Sequence, residues 1–346
     1  MTDRILGPRT LNRALLARQL LLEPATLSVP EALEQVGGLQ AQYAPSGYVG
    51  LWARLAGFRR PDLTAALERR EAVQATLMRT TIHLVSGREF WRYAIAVRQA
   101  RREWALRLRP PSERVAAERE SEAAAERMRT ALADGPRTVR ELGPMAAGFL
   151  GNLGLWVDLV RVPPSGTWER RRADRLALAE EWIGPPDVTE AESLAHVVRG
   201  YLRAFGPAPW RDVASWAGIP APTLRAGAAD LTLVAYRDAD GQPLVDLEGA
   251  PLPDPSTPAP IRFLPHWDAT LLVHARRTGI LPEAHRSKVF SSRNPFSVGT
   301  YLVDGQVAGA WTVRDGHVRI DPYEPLRSRD RDALEAARSA LEAFHA

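Results

Sequence analysis

One short sequence pattern occurs twice in the chain and sets the spacing of its helices. Residues 135–143 read GPRTVRELG, and residues 206–214 read GPAPWRDVA. Each copy follows a helix-like stretch and opens another helix at a residue suited to a helix start, Thr138 or Pro209. A fainter copy, LSVPEAL at residues 27–33, follows a third helix-like stretch. The repeats predict three helix-turn-helix units.

Each repeat is followed by a further helix and then by alternating apolar and polar residues with turn signals between them. The dipeptide Asp240-Gly241 is a strong hairpin signal of this kind. Helices are predicted over residues 11–22, 61–69, 123–132, 149–158, 191–205 and 221–230, and strands within residues 73–86, 159–162, 167–172, 231–237 and 243–247. Residues 176–179 could continue the sheet. This order of helices and hairpins is the winged-helix plan.

The remaining segments predict a connecting helix and a small β domain. Residues 88–108 read as one helix and the proline-rich residues 251–260 as a linker. Strand-like segments within residues 261–320, joined by Asp-Gly turns, precede a helix over residues 329–344. The expected fold class is α+β, with three tandem winged-helix units followed by a small antiparallel β domain and a C-terminal helix. The expected domains are residues 1–110, 111–187, 188–252 and 253–346.

Composition excludes several kinds of protein. The 346 residues include no cysteine, which excludes disulfides, thiolate zinc sites, iron–sulfur clusters and a cysteine nucleophile. The seven histidines lack metal-ligand spacing, so we expect neither a metal nor a cofactor. No apolar run is long enough to cross a bilayer and residues 1–9 lack the apolar core of a signal peptide, so we expect a cytoplasmic protein. Lys288 is the only lysine, so an amine nucleophile for Schiff-base chemistry would have to be Lys288 or the N-terminus, which disfavours such chemistry.

Two glutamines, Gln40 and Gln42, stand two residues apart in the run GGLQAQY at residues 37–43. In an extended segment, side chains at i and i+2 project to the same side. Both amides could then hold one small polar molecule between them. A pair with this spacing is also common at turns and caps, and the spacing alone leaves both interpretations open.

Arginine supplies nearly all the positive charge of a chain whose net charge is +4. Winged helices bind nucleic acid in many proteins and mediate protein contacts in others, and tandem units could line a surface where arginines neutralise phosphates. The run Arg170-Arg171-Arg172 lies on a predicted wing, where it is either a solvated charged strand or a contact with the DNA backbone. The candidates for DNA contact are Arg79, Thr80, Arg137, Arg140, Arg161, Arg170, Arg171, Arg172, Arg237, Asp240 and Gly241.

Four motifs occur in a fixed order along nearly the whole chain. They read VGGLQAQ at 36–42, MRTTIHLVS at 78–86, FLPHWD at 263–268 with Leu271 and Leu272 after it, and DGQVAGAW at 304–311. Together they resemble the AlkZ/YcaQ-type winged-helix DNA glycosylases. In that family, Gln40 and Gln42 match the catalytic Gln-x-Gln motif of the branch that protects producers of DNA-alkylating natural products, whereas the other branch has Gln-x-Asp.

The resemblance implies a monofunctional DNA glycosylase that hydrolyses the N-glycosidic bond of N7-alkylated purines in double-stranded DNA, including bulky or crosslinked adducts. We expect it to act as a monomer at the nucleoid and without a membrane partner. The rival hypothesis is a non-catalytic winged-helix regulator or damage-binding protein, in which the glutamines are structural.

Two further residues and one hairpin are candidates for supporting roles. His83 is either a structural histidine in a strand or, as the resemblance favours, a neighbour of the site that donates to a phosphate. Asp268 could orient neighbours, offset positive charge on the sugar, or cap a helix that starts near Thr270. The hairpin at residues 236–243 is either a probe of the duplex or an ordinary exposed wing.

Overall fold

The computed structural model describes residues 4–146, 155–272, 279–290 and 297–346. Within these ranges no helix is long and apolar enough to cross a membrane. The helices are α1 (Pro8–Arg18), α2 (Val29–Val36), α3 (Ala44–Trp52), α4 (Arg60–Glu68), α5 (Phe90–Arg107), α6 (Arg114–Leu132), α7 (Val139–Leu142), α8 (Ala179–Ile183), α9 (Glu190–Phe205), α10 (Trp210–Ala217), α11 (Ala221–Gly227), α12 (Arg286–Val289) and α13 (Ser328–His345).

The strands form three sheets. They are β1 (Arg4–Leu6), β2 (Leu39–Gln40), β3 (Ala72–Thr76), β4 (Ile82–Ser86), β5 (Arg137–Thr138), β6 (Leu159–Arg161), β7 (Arg175–Leu178), β8 (Leu233–Asp238), β9 (Pro243–Leu247), β10 (Arg262–Leu264), β11 (Gly299–Val303), β12 (Gln306–Arg314) and β13 (His317–Pro322). The first half of the chain supplies a six-stranded sheet in the order β2-β4-β3-β6-β7-β5, in which β2 is an edge strand.

The six-stranded sheet crosses the boundary predicted at residues 110 and 111. Strand β3 pairs antiparallel with β6 through Gln74 opposite Arg161 and Ala75 opposite Val160. The Gln74 side chain also donates to the carbonyl of Gly166 at 2.9 Å. The predicted wings of the first two units therefore share one hydrogen-bonded sheet, which single-unit patterns in the sequence do not reveal. The division into winged-helix units stays a prediction.

The helix starts and Asp-Gly turns follow the predicted chemistry. Thr138 caps α7 by accepting a hydrogen bond from the backbone N–H of Glu141 at 3.2 Å, and Pro209 is the N-cap of α10. Hairpin β8–β9 is antiparallel, as predicted, although β1 joins it in parallel without a clear sequence signal.

One predicted strand is wrong, and one predicted helix lies mostly outside the described residues. Residues 167–172 form a bent, irregular loop rather than a strand, and the partner of β6 is β7, in the segment that could continue the sheet. The Ser165 hydroxyl explains the difference, because it donates to the carbonyl of Arg172 at 2.8 Å and accepts from the N–H of Asp174 at 2.7 Å. These bonds hold the backbone in a loop instead of a ladder. The helix predicted over 149–158 falls largely in residues 147–154, beyond the described ranges.

The C-terminal region is an antiparallel four-stranded sheet in the order β10-β11-β12-β13, closed by α13, as predicted. Its two hairpin turns carry Asp304-Gly305 and Asp315-Gly316, and all four residues have positive φ, which the tight primed turns require. Leu334 and Leu341 of α13 lie in one hydrophobic core with Tyr48 of the first unit and Trp311 of β12. This shared core places the C-terminal sheet beside the segment that carries the glutamine pair.

Candidate active site

A short helix and two glycines deliver the glutamines to the edge of the six-stranded sheet. Helix α2 begins with a capping box in which Glu31 accepts from the backbone N–H of Ser28 at 2.9 Å. It ends at Gly37 with φ 73°, and the N–H of Gly38 donates to the Leu33 carbonyl at 2.8 Å. A Cβ on Gly38 would lie 2.8 Å from Val85 Cγ1, so glycine is required where the chain turns into β2.

Both glutamine side chains are held through their carbonyl oxygens by the neighbouring segment 78–86. Gln40 Oε1 accepts a hydrogen bond from Arg79 Nη2 at 3.2 Å, and Gln42 Oε1 accepts from the backbone N–H of Ile82 at 3.2 Å. Gln40 is half-buried in β2 opposite His83, and Gln42 is exposed. Each carbonyl oxygen keeps a second lone pair and each amide nitrogen keeps two donors. The pair can therefore bind a water molecule or a polar substrate from the solvent side.

Arg79 joins the glutamine strand to a distant part of the chain. Its Nη1 donates to the carbonyl of Trp216 at 2.6 Å while its Nη2 holds Gln40. Arg79 and Thr80 have φ of 52° and 58°, a backbone conformation that costs a non-glycine residue about 1–3 kcal/mol. Burial lowers the pKa of Arg79 to about 10, so the guanidinium stays charged at neutral pH. Arg79 is therefore hydrogen-bonded to Gln40 and to a distant carbonyl, and its contact with DNA stays a prediction.

His83 lies opposite Gln40 on the neighbouring strand β4. It is 2% exposed, and Nδ1 lies 3.0 Å from the carbonyl of Thr81, which fixes the proton on that nitrogen. Burial, with a smaller contribution from the positive charge of Arg79, lowers the pKa of His83 to about 3. The imidazole is therefore neutral and enclosed, and the expected donation to a phosphate does not fit its position.

Asp268 belongs to a buried network. Both of its oxygens accept from Arg54 Nη2, at 3.1 and 3.0 Å, and neither side chain of this pair is exposed. Its Oδ1 also accepts from the N–H of Thr270 at 3.1 Å, which is the capping role that the sequence left open. Arg54 Nη2 further donates to Gln19, whose amide holds the carbonyl of Val36 at 3.2 Å just before the two glycines. Asp268 thus supports the fold around the glutamine segment from within the core, and its burial does not fit a direct interaction with a sugar.

The arginines predicted to contact DNA occupy different environments. Arg170, Arg171 and Arg172 are exposed on a loop, and Arg171 Nη1 donates to the hydroxyl of Tyr43 at 3.1 Å. The loop therefore reaches the residue that follows Gln42. Arg161, in contrast, is only 7% exposed and donates to Thr76 Oγ1 at 3.2 Å, so its position does not fit the expected phosphate contact.

The predicted probe hairpin lies on a different sheet from the glutamines. Arg237 Nη1 donates to the carbonyl of Gly241 at 2.9 Å within the hairpin itself, and Asp240 is exposed at its turn. Among the contacts of the described residues, none joins this hairpin to Gln40 or Gln42. Its role as a probe stays a prediction.

Two cavities flank the glutamine segment. One, of about 440 Å³, is lined by Arg79, Thr80, Arg101, Trp104, Arg107 and Gly218 among others. The other, of about 330 Å³, lies on the side of Tyr43 and the C-terminal sheet. Tyr43 was not among the residues predicted from the sequence, although its position next to Gln42 was an available signal. Within the described ranges, no group of histidine, aspartate and glutamate side chains is arranged to hold a metal ion.

The chain matches one family model and one solved structure over most of its length. The family model is described as DNA glycosylase AlkZ-like and matches residues 33–344. The structure of the Streptomyces sahachiroi DNA glycosylase AlkZ superposes with a TM-score of 0.79 at 19% sequence identity, covering 99% of this chain and 97% of that one. A search of the curated proteins found no significant match. The match to the family model spans more than half of the chain, and the chain therefore belongs to the AlkZ-like DNA glycosylase family.

Proposed function

We propose that this DNA glycosylase hydrolyses the N-glycosidic bond of N7-alkylated purines and leaves an abasic site without cleaving the strand. The supporting observation is the pair of amides at the sheet edge, each held through its carbonyl oxygen by one donor from segment 78–86. Fixed neutral amides suit the positioning of a reactant and do not suit strong base catalysis.

The chemistry of the lesion fits neutral catalytic side chains. Alkylation at N7 places a positive charge on the purine, so the base departs as a neutral molecule and needs no general acid. What remains is to place a water molecule near the sugar C1′ and to tolerate the positive charge that develops on the sugar. The second lone pairs of Gln40 and Gln42 can accept hydrogen bonds from that water and present partial negative charge to the sugar. A glutamine cannot take a proton as a carboxylate would. An uncharged nucleobase is a poor leaving group, and its release would be accelerated too little by these two amides.

The position of the single lysine supports a monofunctional enzyme. A glycosylase that also cleaves the strand through a Schiff base needs an amine nucleophile. Lys288, the only lysine, lies in α12, where its Nζ donates to the carbonyl of Tyr323 at 3.4 Å and lies 4.7 Å from the ring of that tyrosine. This amine is therefore already engaged with the C-terminal sheet.

We further propose that bulky and crosslinked adducts of DNA-alkylating natural products are substrates, and that the protein protects its host against such a compound. The support is the Gln-x-Gln form of the motif and the exposure of Gln42, which lets a duplex approach without full extrusion of the purine. Ordinary base flipping is hindered when a purine is tethered to the opposite strand.

The test is release of 7-methylguanine, and of a bulky crosslinked adduct, from double-stranded DNA in the presence of a chelator. We expect wild type to release the base and the Gln40→Ala and Gln42→Ala variants to be slower. Equal release by wild type and both variants would reject the assigned roles. Tight binding of damaged DNA without release would favour the damage-binding alternative instead.

A further inference from the structure

We propose that the cavity beside Tyr43 receives a planar apolar group attached to the damaged purine, and so selects among alkylated lesions. The proposal rests on the proposed glycosylase function and assigns the part of the lesion that this cavity would hold. The cavity has a volume of about 330 Å³. It lies between the first turn of α3 and the exposed face of β12.

Four aromatic rings follow one another around this cavity. Tyr43 and His266 have ring centroids 5.9 Å apart, His266 and Trp311 6.3 Å, and Trp311 and His345 5.8 Å. Aromatic walls of this kind stack on flat groups in many nucleic-acid-binding proteins.

Hydrogen bonds hold three of the four rings in place. Trp311 Nε1 donates to the carbonyl of Leu264 at 2.9 Å, His266 Nδ1 lies 2.6 Å from the carbonyl of Ser297, and the Tyr43 hydroxyl accepts from Arg171. Rings fixed before the ligand arrives lose little freedom on binding. The cavity is therefore preorganised for a rigid guest.

The electrostatics of the lining favour a neutral guest. Among the described residues that line this cavity, none is an aspartate or a glutamate, and Arg171 carries the one full charge on an exposed side chain. Burial lowers the pKa of His345 to about 4, so its imidazole is neutral. Ser46, another lining residue, is 3% exposed, and its Oγ has no hydrogen-bond partner within the described part of the chain.

The mouth of the cavity is apolar and lies next to the glutamines. Tyr43 and Val313, which are 36% and 38% exposed, both line the cavity and make its opening apolar. Tyr43 directly follows Gln42, so the cavity begins one residue beyond the glutamine pair along the chain. We assign the substituent of a purine held at the glutamines to this opening.

The experiment measures binding separately from base release. Two duplexes carry one 2′-fluoro-deoxyguanosine, which resists hydrolysis, with either a methyl or a naphthylmethyl group at N7. We expect wild type to bind the naphthylmethyl duplex about tenfold more tightly. Val313→Trp fills the mouth and should remove this preference while leaving affinity for the methyl duplex unchanged. Val115→Trp is the matched control, because Val115 is a 62% exposed valine on α6.

A wild type without the preference, or a Val313→Trp variant that keeps it, would overturn the proposal. Equal weakening for both duplexes would also overturn it, because the cavity would then hold the purine itself. Tyr43→Ala, which removes the opposite wall, supplies a second variant if Val313→Trp is unstable. Release of 7-methylguanine from DNA with ordinary sugars is measured in parallel. If the wild type binds the naphthylmethyl duplex more tightly but releases no 7-methylguanine, the proposed function is rejected while the assignment of the cavity stands.

Discussion

Arg79 offers the sharpest test of how the glutamine pair works. Replacing Arg79 with alanine removes the bond to Gln40 Oε1 at 3.2 Å and the bond to the Trp216 carbonyl at 2.6 Å. Gln40 then loses the donor that holds its amide, while its own position in β2 is unchanged. We expect slower base release with little change in the affinity for damaged DNA.

The magnitude follows from the kind of bond that is lost. A hydrogen bond to a charged donor contributes about 1.5–3 kcal/mol, and the guanidinium remains charged because its pKa is about 10. Since about 1.4 kcal/mol corresponds to a factor of ten in rate, release at saturating enzyme should fall by about 10- to 100-fold. Lysine is a point charge and cannot bridge two acceptors as the planar guanidinium does, so Arg79→Lys should recover only part of the rate.

A double-mutant cycle decides whether Arg79 acts through Gln40. Single-turnover release of 7-methylguanine is measured for wild type, Arg79→Ala, Gln40→Ala and the double variant. If Arg79 positions Gln40, its removal should cost little once Gln40 is absent. Arg107→Ala is the control, since Arg107 lines the same cavity but is exposed and paired with Glu103 at 3.7 Å. Additive losses, or an Arg79→Ala variant with the wild-type rate, would refute this reasoning.

Three further outcomes are expected. The Asp268→Ala variant leaves the buried charge of Arg54 without its carboxylate. In denaturant titrations its free energy of unfolding should be lower by about 3–5 kcal/mol. A variant with wild-type stability but no activity would contradict the structural role of Asp268. The pKa of His83 is about 3 in the folded protein, whereas the unfolded chain protonates this histidine near pH 6.5. The free energy of unfolding should therefore fall by about 2 kcal/mol between pH 7 and pH 5, because only the unfolded chain binds the proton there. The His83→Gln variant should lose this part of the pH dependence. Arg170→Ala should reduce the salt dependence of DNA binding by about one unit if this exposed arginine contacts a phosphate, and an unchanged slope would place the duplex on another face.

Local signals in the sequence predicted most elements of the fold. Cap residues such as Thr138 and turn residues such as Asp304-Gly305 act within a few positions, so their effect can be read from the chain. The strand predicted over 167–172 failed because one hydroxyl, that of Ser165, competes with the ladder from a position that no alternation pattern reveals. The pairing of β3 with β6 joins residues about 85 positions apart and was equally invisible.

Only part of the candidate site could be predicted from the sequence. The spacing of Gln40 and Gln42 left open whether the two amides act together or belong to a turn, and the resemblance to a family with a Gln-x-Gln motif favoured the first. The donors that hold them, and the rings beyond Tyr43, come from segments far along the chain. His266, Trp311 and His345 lie together only because α13 and the C-terminal sheet pack on the first helices.

The sequence by itself determined the α+β composition, the helix starts, the tight turns and the glutamine pair, because each depends on neighbours within one or two turns of chain. Tertiary structure alone decided that Arg79 donates to Gln40, that His83 is neutral, that Asp268 is a buried partner of Arg54, and that a ring-lined cavity opens beside Tyr43. Those properties arise from burial and from contacts between distant segments. Both set the charge state and the orientation of a side chain only after the chain has packed.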